Sequence, residues 1–229
     1  ALAVRSLPMK KTDKALIDYL TRDEMNALLA APDCTTVAGL RDRAMLHLTY
    51  AAGLRVSELL ALQMGDFSDR SLSTVRVLGK GRRERVLPLW KETQTVLRTW
   101  IAVRPSVQVQ ELFVNREGRP LSRDGFAHRL AVHVAAAARK KPTLAEKRVT
   151  PHVLRHSCAM HTLEATGDIR KVSLWLGHAS LQSTEAYLRV DPAEKLAILA
   201  ANAAPAVPKG RFRTPDRLLA MLAEIQKTR

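Results

Sequence analysis

Between residues 73 and 89 the helical periodicity of this chain gives way to a strand, a glycine turn and a second strand. In "STVRVLGKGRRERVLPL" Val75 and Val77 alternate along the first limb, Pro88 closes the second, and Lys80 occupies the turn as "GKG". "LFVNREGRPLS" suggests one further strand and turn, and the other patterned stretches read as helix. The expected fold class is therefore mainly α with a small antiparallel β-sheet (α+β).

The helices announce their ends. Thr21 stands three residues before Glu24, a capping-box signature, and Met25, Leu28 and Leu29 share a face of a helix ending near Pro32. A second helix, from about Val37 to Tyr50, has Leu40, Ala44 and Leu48 at helical spacing; Gly53 interrupts it and "LRVSELLAL" restarts a helix with Arg55 at its beginning. "KETQTVLRTWIAVRP" puts Val96, Leu97, Trp100 and Ile101 on one side, and residues 123 to 138 resume the pattern. Thr150 can cap a helix with Pro151 at its first position and Gly167 at its close. Gly177 ends the helix of "DIRKVSLWLGHAS", "STEAYLRV" is a helical turn bearing Tyr187, and Asp191 caps "DPAEKLAILAANAA".

Domain organisation follows from the same pass: residues 1–19 a linker or remnant, 20–200 one domain, and 201–229 a Pro/Gly/Arg-rich linker followed by an amphipathic helix with Leu218, Leu219, Leu222 and Ile225 on one side. The chain opens on Ala1 rather than Met, as expected of a fragment of something longer.

Composition narrows the partner. With 37 Lys plus Arg against 22 Asp plus Glu, the formal net charge is +15, more than solubility requires. A polyanion is the expected partner, nucleic acid first, because neutralising phosphates releases counterions. Cys34 and Cys158 offer neither a disulfide framework nor a four-thiolate metal site, which fits a reducing, cytoplasmic setting. No run of about eighteen apolar residues predicts a membrane span, and no secretory signal opens the chain.

The chemistry concentrates in "TPHVLRHSCAMHTLEATG", residues 150 to 167, with three histidines and an arginine. His152 and His156, four apart, could ligate a metal, but Val153 stands where the H-E-x-x-H pattern needs glutamate, and Arg155 would repel a cation. A phosphodiester fits better: guanidinium forks match the oxygens on which charge develops and stay ionised at working pH. Arg155 shares a helix face with His152, and Arg55 in "YAAGLRVSEL" is the second arginine. Glu58, three residues on, either pairs with Arg55 as a surface contact or holds it in place. His156 and His161 are expected to pack or hydrogen-bond as architecture.

Together, "YAAGLRVSELLAL", "GKGRRERVLPL", "TPHVLRHS", "LGHAS" and a tyrosine nine residues after that last histidine resemble the catalytic domain of tyrosine recombinases, the integrase class, from about Leu20 to Arg189. The resemblance implies that Arg55 and Arg155 bind the scissile phosphate, that Lys80 donates a proton to the departing 5′ oxygen, and that His152 assists proton removal from the nucleophile. It assigns His178 a hydrogen bond to a phosphate oxygen and makes Tyr187 the nucleophile of a 3′-phosphotyrosyl bond. Met160 departs from the family pattern, where a small or hydroxylated residue is more familiar. An ordinary tyrosine, with a pKa near 10, needs a base or cationic clamp to attack. With two arginines and a lysine nearby a divalent metal is redundant, so no cofactor is expected. Arg82 and Arg83 in "KGRRER" are candidate DNA contacts, to backbone or bases alike. The expected activity is site-specific recombination by a tetramer on double-stranded DNA, with a monomer allowed in its absence, and the C-terminal helix docks on a neighbouring subunit or, in the competing reading, on its own. A type IB topoisomerase and a catalytically inactive accessory DNA-binding protein are the competing readings.

Overall fold

A computed structural model describes residues 19–68, 71–79, 84–177, 200 and 202. The described elements run α1 (Arg22–Leu29), α2 (Val37–Ala51), α3 (Val56–Ala61), β1 (Thr74–Leu78), β2 (Glu84–Pro88), α4 (Lys91–Val103), α5 (Arg123–Ala138), α6 (Pro151–Thr166) and α7 (Ile169–Leu176). Short 3₁₀ turns lie at Met64–Asp66 and Pro142–Glu146. The fold is mainly helical with one small antiparallel sheet, as the periodicity predicts. The expected turn bearing Tyr187, the segment capped by Asp191 and the amphipathic helix near the C-terminus lie outside the described residues.

The caps form as the sequence signals. Thr21 Oγ1 accepts the Glu24 N–H at 3.3 Å and Glu24 Oε2 accepts the Thr21 N–H at 2.8 Å. Glu24 is also buried, taking Lys147 Nζ and Thr143 Oγ1 at 2.6 Å each, so one capping residue ties α1 to the approach to α6. Thr150 caps α6, Pro151 opens it, and Gly167 closes it in the left-handed conformation with φ 63°. "LFVNREGRPLS" departs from expectation: it makes a turn with a single bridge, Val114 to Pro120, and no strand. The bridge is made by the Asn115 N–H on the Arg119 carbonyl at 2.8 Å and the Leu121 N–H on the Phe113 carbonyl at 3.1 Å, and Asn115 Oδ1 gathers the Glu117 and Arg119 N–H groups at 2.9 and 3.0 Å, closing the turn.

At the centre lies α2, buried from Gly39 to Ala51 and packed against α1, α3, α4 and α6. A helix covered on every side must find partners for its polar groups. Asp42 takes hydrogen bonds from Arg41 on its own helix and from Arg129 and His133 on α5. Burial pushes its carboxyl up, but the His133 hydrogen bond and the Arg41 charge outweigh this and hold it below the usual range. In the hairpin, register pairs Val75 with Leu87 and Val77 with Arg85. Val75, Val77 and Leu87 are fully buried on the inner face, whereas Leu78 and Val86 face outward. Among the described residues no helix is long and apolar enough to cross a membrane.

Candidate active site

The site begins with a broken helix. Gly53 separates α2 from α3 at φ 56°, a conformation that L side chains rarely adopt. Space forbids a side chain as well, since a Cβ there would lie 2.4 Å from Leu176 Cδ2 and 3.2 Å from Cys158 Sγ. The turn is thus pressed against both α6 and α7. It leaves the Gly53 carbonyl to accept from Arg155 Nη1, and Arg155 Nη2 reaches the Leu176 carbonyl at 2.8 Å. One guanidinium on α6 therefore binds the α2–α3 turn to the end of α7.

Arg55, the N-cap of α3, approaches from the other side. Its backbone N–H donates to Glu58 Oε2 at 3.0 Å and its Nη1 to Glu58 Oε1 at 2.8 Å. Glu58 is buried, so this is no surface pair. Its carboxylate is shared with Arg155, whose Nη1 lies 3.7 Å from Oε2. It is also clamped by Arg85 of β2, with Nη2 to Oε2 at 2.7 Å and Nη1 to Oε1 at 3.2 Å. Burial pushes the Glu58 carboxyl up, but the hydrogen bond and charge of Arg85, then the contacts of Arg55, keep it below the usual range and ionised. Three guanidinium charges around one carboxylate leave two positive charges uncompensated. Burial, and then the charge of Arg55, bring Arg155 down to about 10, so it remains a cation at neutral pH. The Arg55 side chain is 35% exposed against 6% for Arg155, which makes Arg55 the open face of the cluster.

The expected site residues divide as follows. Arg55, Glu58 and Arg155 converge. His152 is exposed on the first turn of α6, one turn before Arg155. Lys80, Arg82, Arg83, His178 and Tyr187 lie outside the described residues; in the chain, Lys80 belongs to the segment joining β1 to β2, and His178 follows Gly177 directly. Sequence reasoning missed Arg85. The signal was present, because stepping back two residues from inward-facing Leu87 puts Arg85 on the same face of β2. Of the two histidines expected to be architectural, His161 is buried with Nδ1 2.8 Å from the Tyr50 hydroxyl. His156 instead faces solvent, because its position on α6 points away from the side that Val153, Leu154 and Ser157 bury. Among the described residues no group of three or more His, Cys, Asp or Glu side chains is placed to hold a metal ion.

Two buried guanidinium groups and one open one, held by a carboxylate at a glycine-broken helix junction, form a cationic cluster suited to phosphate. The comparisons with known proteins agree in kind. The family described as "Phage integrase family" matches residues 18–194. The integrase/recombinase y4rC of Sinorhizobium fredii is 41% identical over 219 residues, covering 96% of this chain and 66% of that protein. Tyrosine recombinase XerD of Staphylococcus aureus is 39% identical over 193 residues, covering 82% of this chain and 63% of that one. The crystal structure of XerA recombinase superposes with a TM-score of 0.64 at 26% identity, over 81% of this chain and 64% of that chain. The chain thus spans just under two thirds of the length of the curated relatives it matches. With the match running from before α1 to beyond α7 and enclosing the whole arginine cluster, the chain belongs to the phage integrase family.

Proposed function

We propose that this chain is the catalytic part of a site-specific DNA recombinase that cuts and rejoins DNA strands through a 3′-phosphotyrosyl intermediate. The observation that carries the reading is the meeting of Arg55 and Arg155, a hundred residues apart in the chain, at the one carboxylate of Glu58. Family membership supplies the expectation that a phosphodiester is what they grip.

In this reading the Tyr187 phenol oxygen attacks the scissile phosphorus and its proton passes to His152. The bond from phosphorus to the 5′ oxygen breaks, and that oxygen leaves as a hydroxyl with the proton of Lys80. Arg55 and Arg155 stabilise the charge building on the non-bridging oxygens, and His178 donates a hydrogen bond to one of them. The covalent link conserves the bond energy, so a 5′ hydroxyl from another strand reverses the step without ATP. Arg82 and Arg83 contact DNA beside the cut. Residues 20–200 form the catalytic domain, a tetramer assembles on DNA, and residues 201–229 dock on a neighbouring subunit. Deleting residues 205–229 then weakens assembly on DNA; unchanged assembly overturns that docking.

A nicked suicide duplex tests the chemistry. Loss of the short fragment below the nick traps the intermediate, so wild type accumulates denaturant-resistant protein–DNA adducts. Tyr187→Phe abolishes them, and Arg55→Ala slows their formation by on the order of 10²-fold. Sequence-specific binding with no adduct in wild type would instead establish an accessory DNA-binding role.

A further inference from the structure

Arg85 is a buried cation that the reaction just described does not use. Its side chain is 5% exposed and, unlike that of Arg155, its fork is spent on both oxygens of Glu58. The same side chain is packed by the C-cap of α7: a Cβ on Gly177, at φ 62°, would lie 3.0 Å from Arg85 Cδ and 3.4 Å from Nε. Arg85 thereby touches β2, the α3 carboxylate and the end of α7 at once.

The geometry of Glu58 shows what this does. A carboxylate has two oxygens, and an unopposed one takes an arginine side-on through two parallel N–H bonds. Arg85 already occupies that bidentate position. Arg55 is left to donate one side-chain nitrogen, Nη1, to Glu58, and its fork is not closed on the carboxylate. Taking Arg85 away would let Glu58 turn and engage Arg55 bidentately, which uses up the donors a phosphate needs.

We infer that Arg85 is a positioning residue: by claiming Glu58 bidentately it keeps the fork of Arg55 free and aimed at the phosphodiester, and it registers the β-hairpin against the arginine pair. This rests on the strand-transfer reading above. It also makes the inner face of the hairpin, and not only its turn, part of the machinery.

The test is Arg85→Lys, which retains charge and stem but cannot span both oxygens. Single-turnover cleavage is measured on two nicked suicide duplexes, one with an ordinary scissile phosphodiester and one with a methylphosphonate, which lacks the charge the arginines neutralise. Cleavage of the diester falls about tenfold or more, cleavage of the methylphosphonate changes by less than about threefold, and DNA affinity stays within about twofold of wild type. The ratio of the two rates does not depend on how much of the variant folds, so partial unfolding cannot imitate the result. Arg85→Gln, measured in the same way, moves the ratio in the same direction. Equal losses on both substrates, or no loss on either, overturn the inference and leave Arg85 as packing alone. Absence of any adduct in wild type sinks the strand-transfer reading, and this one with it.

Discussion

His47 is buried midway along α2, and among the described residues neither ring nitrogen has a hydrogen-bond partner. Burial first, and then the charge of Arg43, bring its pKa down to about 3. The sign of the consequence is fixed. The folded state binds its proton less readily than the unfolded state, so the stability tied to the neutral ring is fully present above about pH 6.5. It is lost at roughly 1.4 kcal/mol per pH unit as the pH falls from there towards about 3. His47→Leu replaces an unsatisfied polar ring with an apolar group of smaller but comparable bulk. It is expected to leave stability at pH 7 unchanged or to raise it by about 1 kcal/mol. It should also remove that acid slope, which urea unfolding at pH 7, 6, 5 and 4 would resolve. A variant as acid-sensitive as wild type would show that the ring finds a partner when protonated. Glu58 contrasts with His47 in kind: buried to a similar degree, it is met on both oxygens by arginine and stays charged.

Elements meet here through glycines whose two jobs can be separated. Gly167 ends α6 at φ 63° with open space where a Cβ would stand, so Gly167→Ala pays only for the left-handed backbone, about 1 kcal/mol. Gly53 has the same sign of φ, but a Cβ there collides with Leu176, and its carbonyl is an anchor of Arg155. Gly53→Ala is therefore expected to cost at least about 3 kcal/mol in thermal or urea unfolding and to slow suicide-substrate cleavage, whereas Gly167→Ala cleaves as wild type. Equal stability losses in the two would remove the argument from close approach. Glycines were legible in sequence as punctuation, and so were Thr21, Thr150 and the helices they start, because capping is local chemistry written within four residues. What the local pattern did not carry was distance between elements. Arg55 and Glu58 read as a surface pair or a support because their spacing is the same in both cases; only the arrival of β2 and α6 buries Glu58. Arg85 stood in a run of cations where charge suggested solvent, and strand alternation, which pointed inward, was the weaker cue.

For the whole molecule, the formal charge of +15 is not spread evenly between the inside and the outside. Arg41, Arg43, Arg85 and Arg155 are buried; Arg41, Arg85 and Arg155 are engaged by Asp42, Glu58 or backbone carbonyls, and Arg43 Nη1 donates to Cys34 Sγ at 3.1 Å. Apart from Arg155, which is proposed to meet the scissile phosphate, they lend rigidity, not counterion release, to any complex with DNA. The charges that set salt dependence are the exposed ones, and Arg139, Lys140 and Arg148 lie on the approach from the end of α5 to α6, shortly before exposed His152. If that approach lies along a DNA backbone, each of these side chains neutralises about one phosphate, and the slope of log affinity against log salt falls by about one for each removed. The triple substitution Arg139→Ala, Lys140→Ala, Arg148→Ala should therefore flatten the slope by about three, as read by fluorescence anisotropy on a duplex between 50 and 200 mM salt. Because these contacts carry no base information, the loss should be the same for a cognate and a scrambled duplex. An unchanged slope would place the DNA on another face of the protein and separate His152 from the phosphate it is proposed to serve.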